Sequence, residues 1–291
     1  MRRGEKMVLV KSKKMIEEAF KNGYAIGAFN AENMEMAEAI VEAAEEMNAP
    51  VIVQTTSGTL NTTPPEMFYH MVKAAADKVS VPVVMHLDHG DDFERVARCL
   101  RTGYTSVMID ASKKPFEENI SITEEVVKMA HSMGVPVEAE LGIVGGKEDG
   151  NNADTVAFTD PEEAEKFVKA TNVDFLAIGI GNSHGFYKAE PKLQYDILEA
   201  VKAKTGDVPL VLHGTSGIPD EDVSKAVAMG IAKVNYATEL RAVFTKAIKS
   251  YISEDEKVVD PKKYNSAAKE AVKELVKQKI QVLGSDGKAG E

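Results

Sequence analysis

The feature that most constrains the fold is a regular alternation of two kinds of segment along the chain. Short apolar runs rich in β-branched residues recur eight times, and a longer stretch of helical period follows each of them. Several runs, such as PVVMHLD and DFLAIGI, are apolar nearly throughout, which is typical of parallel strands buried on both faces. The eight predicted strands cover residues 24–30, 51–56, 82–88, 105–110, 136–141, 174–180, 209–213 and 232–236.

Eight strand–helix units favour an α/β protein built as a (β/α)8 TIM barrel. An open doubly wound sheet remains the alternative, because strand order cannot be read from one sequence. Further helices are predicted before the first strand, at 11–22, and at the end of the chain, at 261–283. No linker rich in Pro, Gly or Ser divides the chain, so we predict one domain over residues 1–291, with residues 1–6 as a disordered extension.

Charge and composition exclude several classes of protein. A formal net charge of −11 argues against non-specific nucleic-acid binding, and acidic helix faces such as residues 38–46 are expected to serve solubility. No apolar run approaches the ~18 residues of a membrane span, and the segment MRRGEKMVLV lacks the apolar core of a signal peptide. Cys99 is the single cysteine and fits a reducing compartment, so we expect a cytoplasmic protein.

Three of the six histidines lie where strands end. His89 follows the third predicted strand, His184 follows the sixth, and His213 ends the seventh. Strand C-termini form the active-site face of a barrel, and three histidines with one open position are a typical catalytic zinc site. Structural roles for these histidines remain the alternative at this stage. We interpret His70 and His131, which lie in predicted helices, as surface residues.

Carboxylates accompany the histidines on two predicted strands. His86 and Asp88 share a face of the third strand, where we expect His86 to pack in the core. Asp88 is a candidate general acid or base, although a helix N-cap or a carboxylate that orients a histidine is the alternative. Glu138 and Glu140 alternate on the fifth strand, where burial is costly unless they are paired or metal-bound. We expect one of them to face the barrel mouth.

The remaining polar segments suggest a mobile base and a phosphate site. The longest irregular stretch, 143–159, carries Glu148, which could close over a substrate and act as a base, or could be a solvated loop charge. The small residues of 213–217 and 235–238 follow the last two strands and precede helices, a typical phosphate-binding arrangement. Residues 179–185 do not form a dinucleotide fingerprint, because His184 stands where its last glycine would be.

Eight ordered motifs occur along the chain. They are AFNAENME near the start, HLDHG (86–90), SVMIDASKKPFEENI (106–120), VEAELG (137–142), GGKED (145–149), SHGFYK (183–188), LHGTSGIP (212–219) and KVNYATELR (233–241). Together they resemble one family, the class II, metal-dependent fructose-bisphosphate aldolases, which includes tagatose-bisphosphate aldolases, and the resemblance runs from about Met7 to Leu283. It implies a zinc-containing TIM barrel that reversibly cleaves a ketose 1,6-bisphosphate to dihydroxyacetone phosphate and glyceraldehyde 3-phosphate through a zinc-stabilised enediolate.

The resemblance also assigns roles to individual residues. It implies that Asp88 handles the proton of the C4 hydroxyl, that Glu148 exchanges a proton at C3, and that Glu140 offers an alternative metal position. Asn30 would line the substrate pocket, and Arg241 matches a position that reaches a neighbouring subunit's phosphate, which implies a homodimer or homotetramer. The implied zinc ligands are His89, His184 and His213. The other residues expected along the phosphate and monovalent-cation sites are Gly185, Lys188, Gly214, Thr215, Ser216, Asn235, Ala237 and Thr238.

Three positions depart from the common pattern of the family. Thr215 stands where relatives carry Gly or Ala, and Tyr236 replaces a smaller aliphatic residue. Ala237 stands where many fructose-type members have Asp and tagatose-type members have Ala. Because the two ketose bisphosphates differ only at C4, one contact can shift the preference, so Ala237 favours a tagatose-type or relaxed enzyme.

Other functions remain open from the sequence. An aldolase of this family could act on another phosphorylated sugar or sugar acid. A metal-dependent hydrolase would carry a His-x-His pair on the first strand, which reads YAIGAFN. A non-catalytic sugar-phosphate binder would be expected to lose Asp88 or Glu148, and both are present.

Overall fold

A computed structural model describes residues 9–148, 151–153, 157–187 and 190–290, with only the backbone for residues 147, 148 and 151–153. The strands of this part of the chain are β1 (Ile26–Asn30), β2 (Val51–Thr56), β3 (Val83–Gly90), β4 (Ser106–Ile109), β5 (Val137–Leu141), β6 (Gly145–Glu148), β7 (Asn151–Ala153), β8 (Phe175–Ile178), β9 (Ser183–His184), β10 (Leu210–Leu212) and β11 (Ile231–Tyr236). The helices are α1 (Ser12–Asn22), α2 (Met34–Glu46), α3 (Ser57–Thr62), α4 (Pro65–Ala76), α5 (Phe93–Thr102), α6 (Phe116–Ser132), α7 (Pro161–Thr171), α8 (Tyr195–Thr205), α9 (Asp220–Ala228), α10 (Thr238–Glu254) and α11 (Pro261–Leu283).

Eight of the strands close into a parallel barrel in the order β1, β2, β3, β4, β5, β8, β10 and β11, and β11 pairs with β1. This closure confirms the predicted TIM barrel and excludes the open sheet. All eight barrel strands are buried along their full length, which explains why several of their sequences are apolar on both faces. No helix in the described residues is long and apolar enough to cross a membrane. The predicted extension at residues 1–6 lies outside the described residues, and the single-domain assignment stays a prediction.

The helices begin and end where their sequences indicate. Helix α2 starts after Asn33, whose side chain accepts a hydrogen bond from the Met36 backbone nitrogen at 2.9 Å. Helix α11 starts with Pro261 in its first turn, and Asp260 caps it by accepting from a backbone nitrogen. It ends at Gly284, whose φ of 68° is the left-handed conformation typical of a helix C-terminus. The predicted bounds of 261–283 are therefore confirmed.

The described part of the stretch 143–159 contains paired strands, which the expectation of an irregular loop did not include. Strands β6 and β7 pair antiparallel, and Ile143 forms a bridge with Ala157. Strand β6 also pairs in parallel with β9, with Gly146 opposite His184. The glycine is required there, because a Cβ at Gly146 would collide with the carbonyl oxygen of His184. Composition alone did not reveal this small sheet, since its strands pair with a segment nearly forty residues away.

Two surface regions make contacts that the sequence did not predict. The acidic face of α2 is not simply solvated, because lysines of α11 lie against it: Lys269 Nζ is 2.6 Å from Glu42 Oε1 and 2.9 Å from Glu38 Oε2. His131 is not a plain surface residue either, since its Nε2 lies 2.7 Å from Oδ2 of the buried Asp174. Both contacts join helices or strands far apart in sequence, so the periodicity of one helix could not predict them.

Candidate active site

Three histidines meet at the mouth of the barrel as the sequence predicted. His89, His184 and His213 each place one ring nitrogen within 4.8 Å of the others, and all three lie within the protein interior. The ring centroids of His89 and His213 are 4.7 Å apart, and those of His89 and His184 are 5.0 Å apart. A compact set of three imidazoles is the donor set of a catalytic zinc site.

His89 ends β3 in a strained conformation. Its φ of 46° lies in the left-handed region, and the pairing of β3 with β4 shifts register between Leu87 and Gly90. Such bulges and strained residues often re-aim side chains at functional sites. His89 Nδ1 lies 2.8 Å from Asp110 Oδ2, so its Nε2 faces the cluster. Burial lowers the pKa of His89, but the charges of Asp88 and Asp110 outweigh it and raise that pKa well above its ordinary value.

His213 is held by carboxylates on both sides of its ring. Its Nε2 donates to Glu138 Oε1 at 2.8 Å, and its Nδ1 lies 3.2 Å from Glu140 Oε2. Both glutamates point into the barrel from β5, and Glu140 is the one nearer the mouth, which agrees with the expectation that one of them faces it. Burial lowers the pKa of His213, but its hydrogen bonds to Glu138 and Glu140 outweigh burial and raise it to about 9.

His184 is positioned by a loop that is tied to the loop after β10. Asn182 donates from Nδ2 to the carbonyl oxygen of His213 at 3.0 Å. The hydroxyl of Tyr187 accepts from the Ser183 backbone nitrogen and donates to the Gly214 carbonyl, each at 2.7 Å. These bonds fix two of the three histidine-bearing loops to each other. Burial and the charges of the other two histidines lower the pKa of His184 well below its ordinary value.

The buried charges of this region fit a divalent cation. Four carboxylates are buried or nearly buried around the three histidines, and one fully buried lysine lies among them. Uncompensated buried charge is very costly, and four carboxylates beside one lysine leave negative charge that a divalent cation at the three histidines would balance. In zinc sites the histidine ligands are also usually hydrogen-bonded to carboxylates, which form a second layer around the metal. The residues therefore fit a metal such as zinc. The carboxylates are Asp88, Asp110, Glu138 and Glu140, and the lysine is Lys233.

Asp88 lies beside the cluster and is surrounded by amide donors. Its Oδ1 accepts from Asn235 Nδ2 at 2.9 Å, and its Oδ2 accepts from Gln54 Nε2 at 3.1 Å and from Asn30 Nδ2 at 3.5 Å. The Oδ1 atom is 4.0 Å from His89 Nε2. Burial alone would raise the pKa of Asp88, but the charges of nearby histidines and Lys233 lower it. Asp88 is therefore a charged acceptor directed at the metal-facing nitrogen, and it is not a helix N-cap.

Two expected site residues cannot be placed by their side chains. Glu148 lies at the end of β6, the strand that pairs with the His184 segment, and only its backbone is described. Lys188 lies outside the described residues. Nevertheless, Glu148 belongs to a strand that is hydrogen-bonded to the His184 segment. The sequence did not predict this pairing.

The loops after β10 and β11 lie together beside the histidine cluster. Thr215 is buried and donates its hydroxyl to the carbonyl oxygen of Asn235, so it ties the loops together and its hydroxyl is not directed at the substrate side. The Glu239 backbone nitrogen donates to Ser216 Oγ at 3.3 Å, and the Gly217 backbone nitrogen donates to Glu239 Oε1 at 2.9 Å. The segment therefore lies at the N-terminus of α10, where backbone N–H groups and the helix dipole favour anions.

The other expected substrate residues lie on the same side. Gly185 follows His184 with a φ of 83°, and Gly214 follows His213 with a φ of 61°. Ala237 is nearly buried between β11 and α10. Arg241 and Thr238 line an open surface groove with Phe186, Lys246 and Lys249, and the guanidinium of Arg241 forms an ion pair with Glu32 at 2.6 Å.

Comparison with known proteins agrees with this geometry. The sequence model of the family described as fructose-bisphosphate aldolase class-II matches residues 10–288. The chain belongs to the class II fructose-bisphosphate aldolase family. It is 46% identical over 288 residues to a fructose-bisphosphate aldolase of Staphylococcus epidermidis, covering 97% of this chain and 100% of the relative. A fructose-bisphosphate aldolase of Geobacillus stearothermophilus is 44% identical, with 98% and 100% covered.

A solved structure matches as well. The X-ray structure of the YdjI aldolase from Escherichia coli K12 superposes with a TM-score of 0.85 at 38% identity, covering 97% of this chain and 99% of that one. The chain is therefore an enzyme, a lyase of the class II aldolase type, and class II aldolases are zinc-dependent in general. Sequence reasoning about this class II aldolase missed Gln54, Asp110, Tyr187 and Lys233, whose positions at the site follow from contacts between separate strands and loops.

Proposed function

We propose that the enzyme reversibly cleaves a ketose 1,6-bisphosphate to dihydroxyacetone phosphate and glyceraldehyde 3-phosphate. The observation that carries the proposal is the placement of a charged carboxylate, Asp88, 4.0 Å from the metal-facing nitrogen of His89. An acid–base group beside a three-histidine metal site is what cleavage next to a carbonyl requires. His89, His184 and His213 would hold Zn²⁺, and Glu140 would offer an alternative ligand. Bound zinc supplies a Lewis acid that withdraws electron density from the C2 carbonyl.

In this proposal Asp88 accepts the proton of the C4 hydroxyl while the C3–C4 bond breaks and the C4 aldehyde forms. The amides of Asn30, Gln54 and Asn235 hold the carboxylate in place for this transfer. Glu148 then supplies a proton to C3, which completes dihydroxyacetone phosphate. Its location on β6, paired with the His184 segment, supports this role, because it keeps the base in register with the metal site.

The phosphates of the substrate would bind to the loops at the helix N-termini. Gly214 and Ser216 lie where backbone N–H groups can face an anion, and Gly185 and Thr238 border the same mouth. Lys188 and a monovalent cation complete this part of the proposal, on the strength of the family resemblance. Thr215 and Asn235 shape the site through the hydrogen bond between them.

Arg241 supports a second part of the proposal, a homodimer or homotetramer in which it serves a neighbouring subunit. It lies on the open groove beside α10, a helix with a single buried residue among its 17, Leu240. A helix so little buried within its own chain is consistent with a partner subunit. The single, buried thiol of Cys99 is in keeping with a reducing compartment such as the cytoplasm.

The experiment measures triose phosphate release from fructose and tagatose 1,6-bisphosphates by the zinc-loaded enzyme, with and without excess EDTA. We expect activity that EDTA abolishes and zinc restores. The kcat/KM ratio for the two substrates tests the inference from Ala237, which favours a tagatose-type or relaxed preference. Absence of release from either substrate would refute the reaction and favour another phosphorylated sugar or sugar acid, and full activity in chelator would refute the metal.

A further inference from the structure

We infer that Glu138 and Lys233, which lie one layer below the histidine cluster, are positioning residues for the zinc ligand His213. Glu138 points into the barrel from β5 and Lys233 from β11, and both side chains are 0% exposed. Lys233 Nζ is 2.8 Å from Glu138 Oε2, while Glu138 Oε1 accepts from His213 Nε2 at 2.8 Å. The inference rests on the proposed metal site.

Stability does not account for this buried ion pair. Barrel interiors are ordinarily filled with branched apolar side chains, and replacing a buried ion pair by apolar residues is often neutral or stabilising. Removing only one partner, in contrast, is strongly destabilising because the other charge is left buried and unpaired. A Glu–Lys pair at the centre of the barrel is therefore better explained by what it does to the group above it.

The pair fixes which nitrogen of His213 is available. Because Glu138 Oε1 holds a proton on Nε2, the lone pair of the neutral imidazole is on Nδ1, the nitrogen that faces Glu140 and the other histidines. Glu138 could turn its carboxylate away if its second oxygen were free. Lys233 prevents this rotation by holding Oε2.

His86 lies below the carboxylate, too far from it for a hydrogen bond. His86 Nε2 lies 3.8 Å from Glu138 Oε2, and His86 Nδ1 lies 2.8 Å from Ser106 Oγ. Ser12 of α1 donates to the same Ser106 oxygen at 2.8 Å, so Ser106 directs its own proton to His86. Burial, together with the charge of Lys233, lowers the pKa of His86 to about 3, so the ring is neutral. The polar chain thus extends from the far end of the barrel to the metal site.

The test measures the affinity of the metal-free enzyme for Zn²⁺ by competition with a chromophoric chelator, and records the visible spectrum with Co²⁺. Glu138→Gln has one carbonyl oxygen for two donors, and the buried ammonium of Lys233 competes for it. We expect zinc binding to weaken about 10- to 100-fold, the usual effect of losing such an outer carboxylate, together with an altered Co²⁺ spectrum. In Glu138→Gln/Lys233→Met the competing ammonium is absent, so the amide oxygen can return to His213. Part of the affinity should be recovered, but not all of it, because no group then holds the other end of the amide.

Two further variants keep the test decisive. Glu138→Asp retains the charge beside Lys233 but withdraws the oxygen from His213, so zinc affinity should fall although the ion pair persists. Lys13→Met is the matched control, because it breaks an ion pair with the buried Asp174 at the opposite end of the barrel and should leave zinc affinity unchanged.

The outcomes separate the inference from the proposed site. If the unmodified enzyme binds no zinc stoichiometrically, the metal site itself is refuted. If it binds zinc and Glu138→Gln and Glu138→Asp bind equally well with an unchanged Co²⁺ spectrum, the pair is only structural and the inference is wrong. Lys233→Met alone frees Glu138 Oε2 and should also weaken zinc binding, so unchanged affinity in that variant would refute the positioning role of Lys233. A double variant no better than Glu138→Gln would refute the competition of Lys233 for the amide oxygen. A thermal midpoint that falls without any change in zinc affinity would also contradict positioning.

Discussion

Replacing Asp88 with alanine separates acid–base chemistry from metal binding. The Asp88 side chain is buried beside the histidine cluster but is not one of the three imidazole ligands. It accepts hydrogen bonds from Asn235, Gln54 and Asn30. Alanine removes the proton acceptor, adds no new donor against these amides, and leaves the three ring nitrogens in place.

The expected magnitude follows from these contacts. Loss of a positioned general acid or base lowers a rate by about 10²- to 10⁴-fold, which corresponds to about 3 to 5 kcal/mol of transition-state stabilisation. Leaving these buried amides without their acceptor costs about 1–3 kcal/mol of folding free energy. Gln54 and Asn30 are already hydrogen-bonded to each other at 2.7 Å, which limits that cost. Because domains typically have about 5–15 kcal/mol of stability, the variant should remain folded.

Three measurements on Asp88→Ala test the reasoning. Triose phosphate release at saturating zinc should fall by the factor given above, and the zinc dissociation constant should stay close to that of the unmodified enzyme. Exchange of the C3 hydrogen of dihydroxyacetone phosphate with solvent should persist, because Glu148 carries out that transfer in the proposed mechanism. Circular dichroism before and after the assay confirms that the variant is folded.

Two results would refute this assignment. An equal loss of zinc affinity and turnover would show that Asp88 is a ligand or a scaffold residue. Loss of C3 exchange in proportion to cleavage would show that Asp88, and not Glu148, serves the C3 proton.

Four further predictions address other parts of the molecule. Asp110→Asn should weaken zinc binding about 10- to 100-fold, because Asp110 orients a histidine ligand, and unchanged affinity in a metal titration would contradict this. Gly214→Ala places a Cβ 2.6 Å from the neighbouring loop at a φ of 61°. Calorimetry should therefore show lower stability, and a metal titration should show weaker zinc binding. A thermal midpoint equal to that of the unmodified enzyme would contradict this. Mixing subunits of Arg241→Ala with those of Asp88→Ala should restore activity if Arg241 acts across an interface, whereas hybrids as inactive as the parents would place it in its own subunit. Burial raises the pKa of Cys99 to about 12, so the thiol is protonated at any pH well below that value. It should therefore resist alkylation in the native protein and react in denaturant. Rapid labelling of the native protein would disprove this.

The barrel itself could be predicted because its signals are local. Each barrel strand is buried on both faces, so several of the strands are recognisable as apolar runs from their own few residues alone. The small sheet of β6, β7 and β9 carries no such signal, because its residues are small or polar and its pairing joins distant segments. Gly146 is intelligible only beside the carbonyl oxygen of His184, which its missing side chain accommodates.

The same distinction applies to the candidate site. His89, His184 and His213 could be found because strand ends share one face of a barrel, which is a rule of topology. The contacts behind them could not be predicted, since Asp110 and Glu138 reach their histidines across neighbouring or more distant strands. Periodicity states only that such a side chain points inward. Which partner it meets depends on strand order, register and the tilt of the barrel.

The net charge of −11 shows how far a global quantity can mislead about a site. Lysines of α11 compensate the charge of the acidic face of α2. Four other carboxylates lie inside the barrel around the histidine cluster, with Lys233 as the one buried lysine among them. This interior would repel a doubly phosphorylated sugar on its own. In the proposed function, a divalent cation held by the three histidines would reverse part of that charge, and backbone N–H groups at helix N-termini would bind the phosphates. Affinity for an anionic substrate and affinity for the metal are therefore linked, because each binding step removes charge that opposes the other.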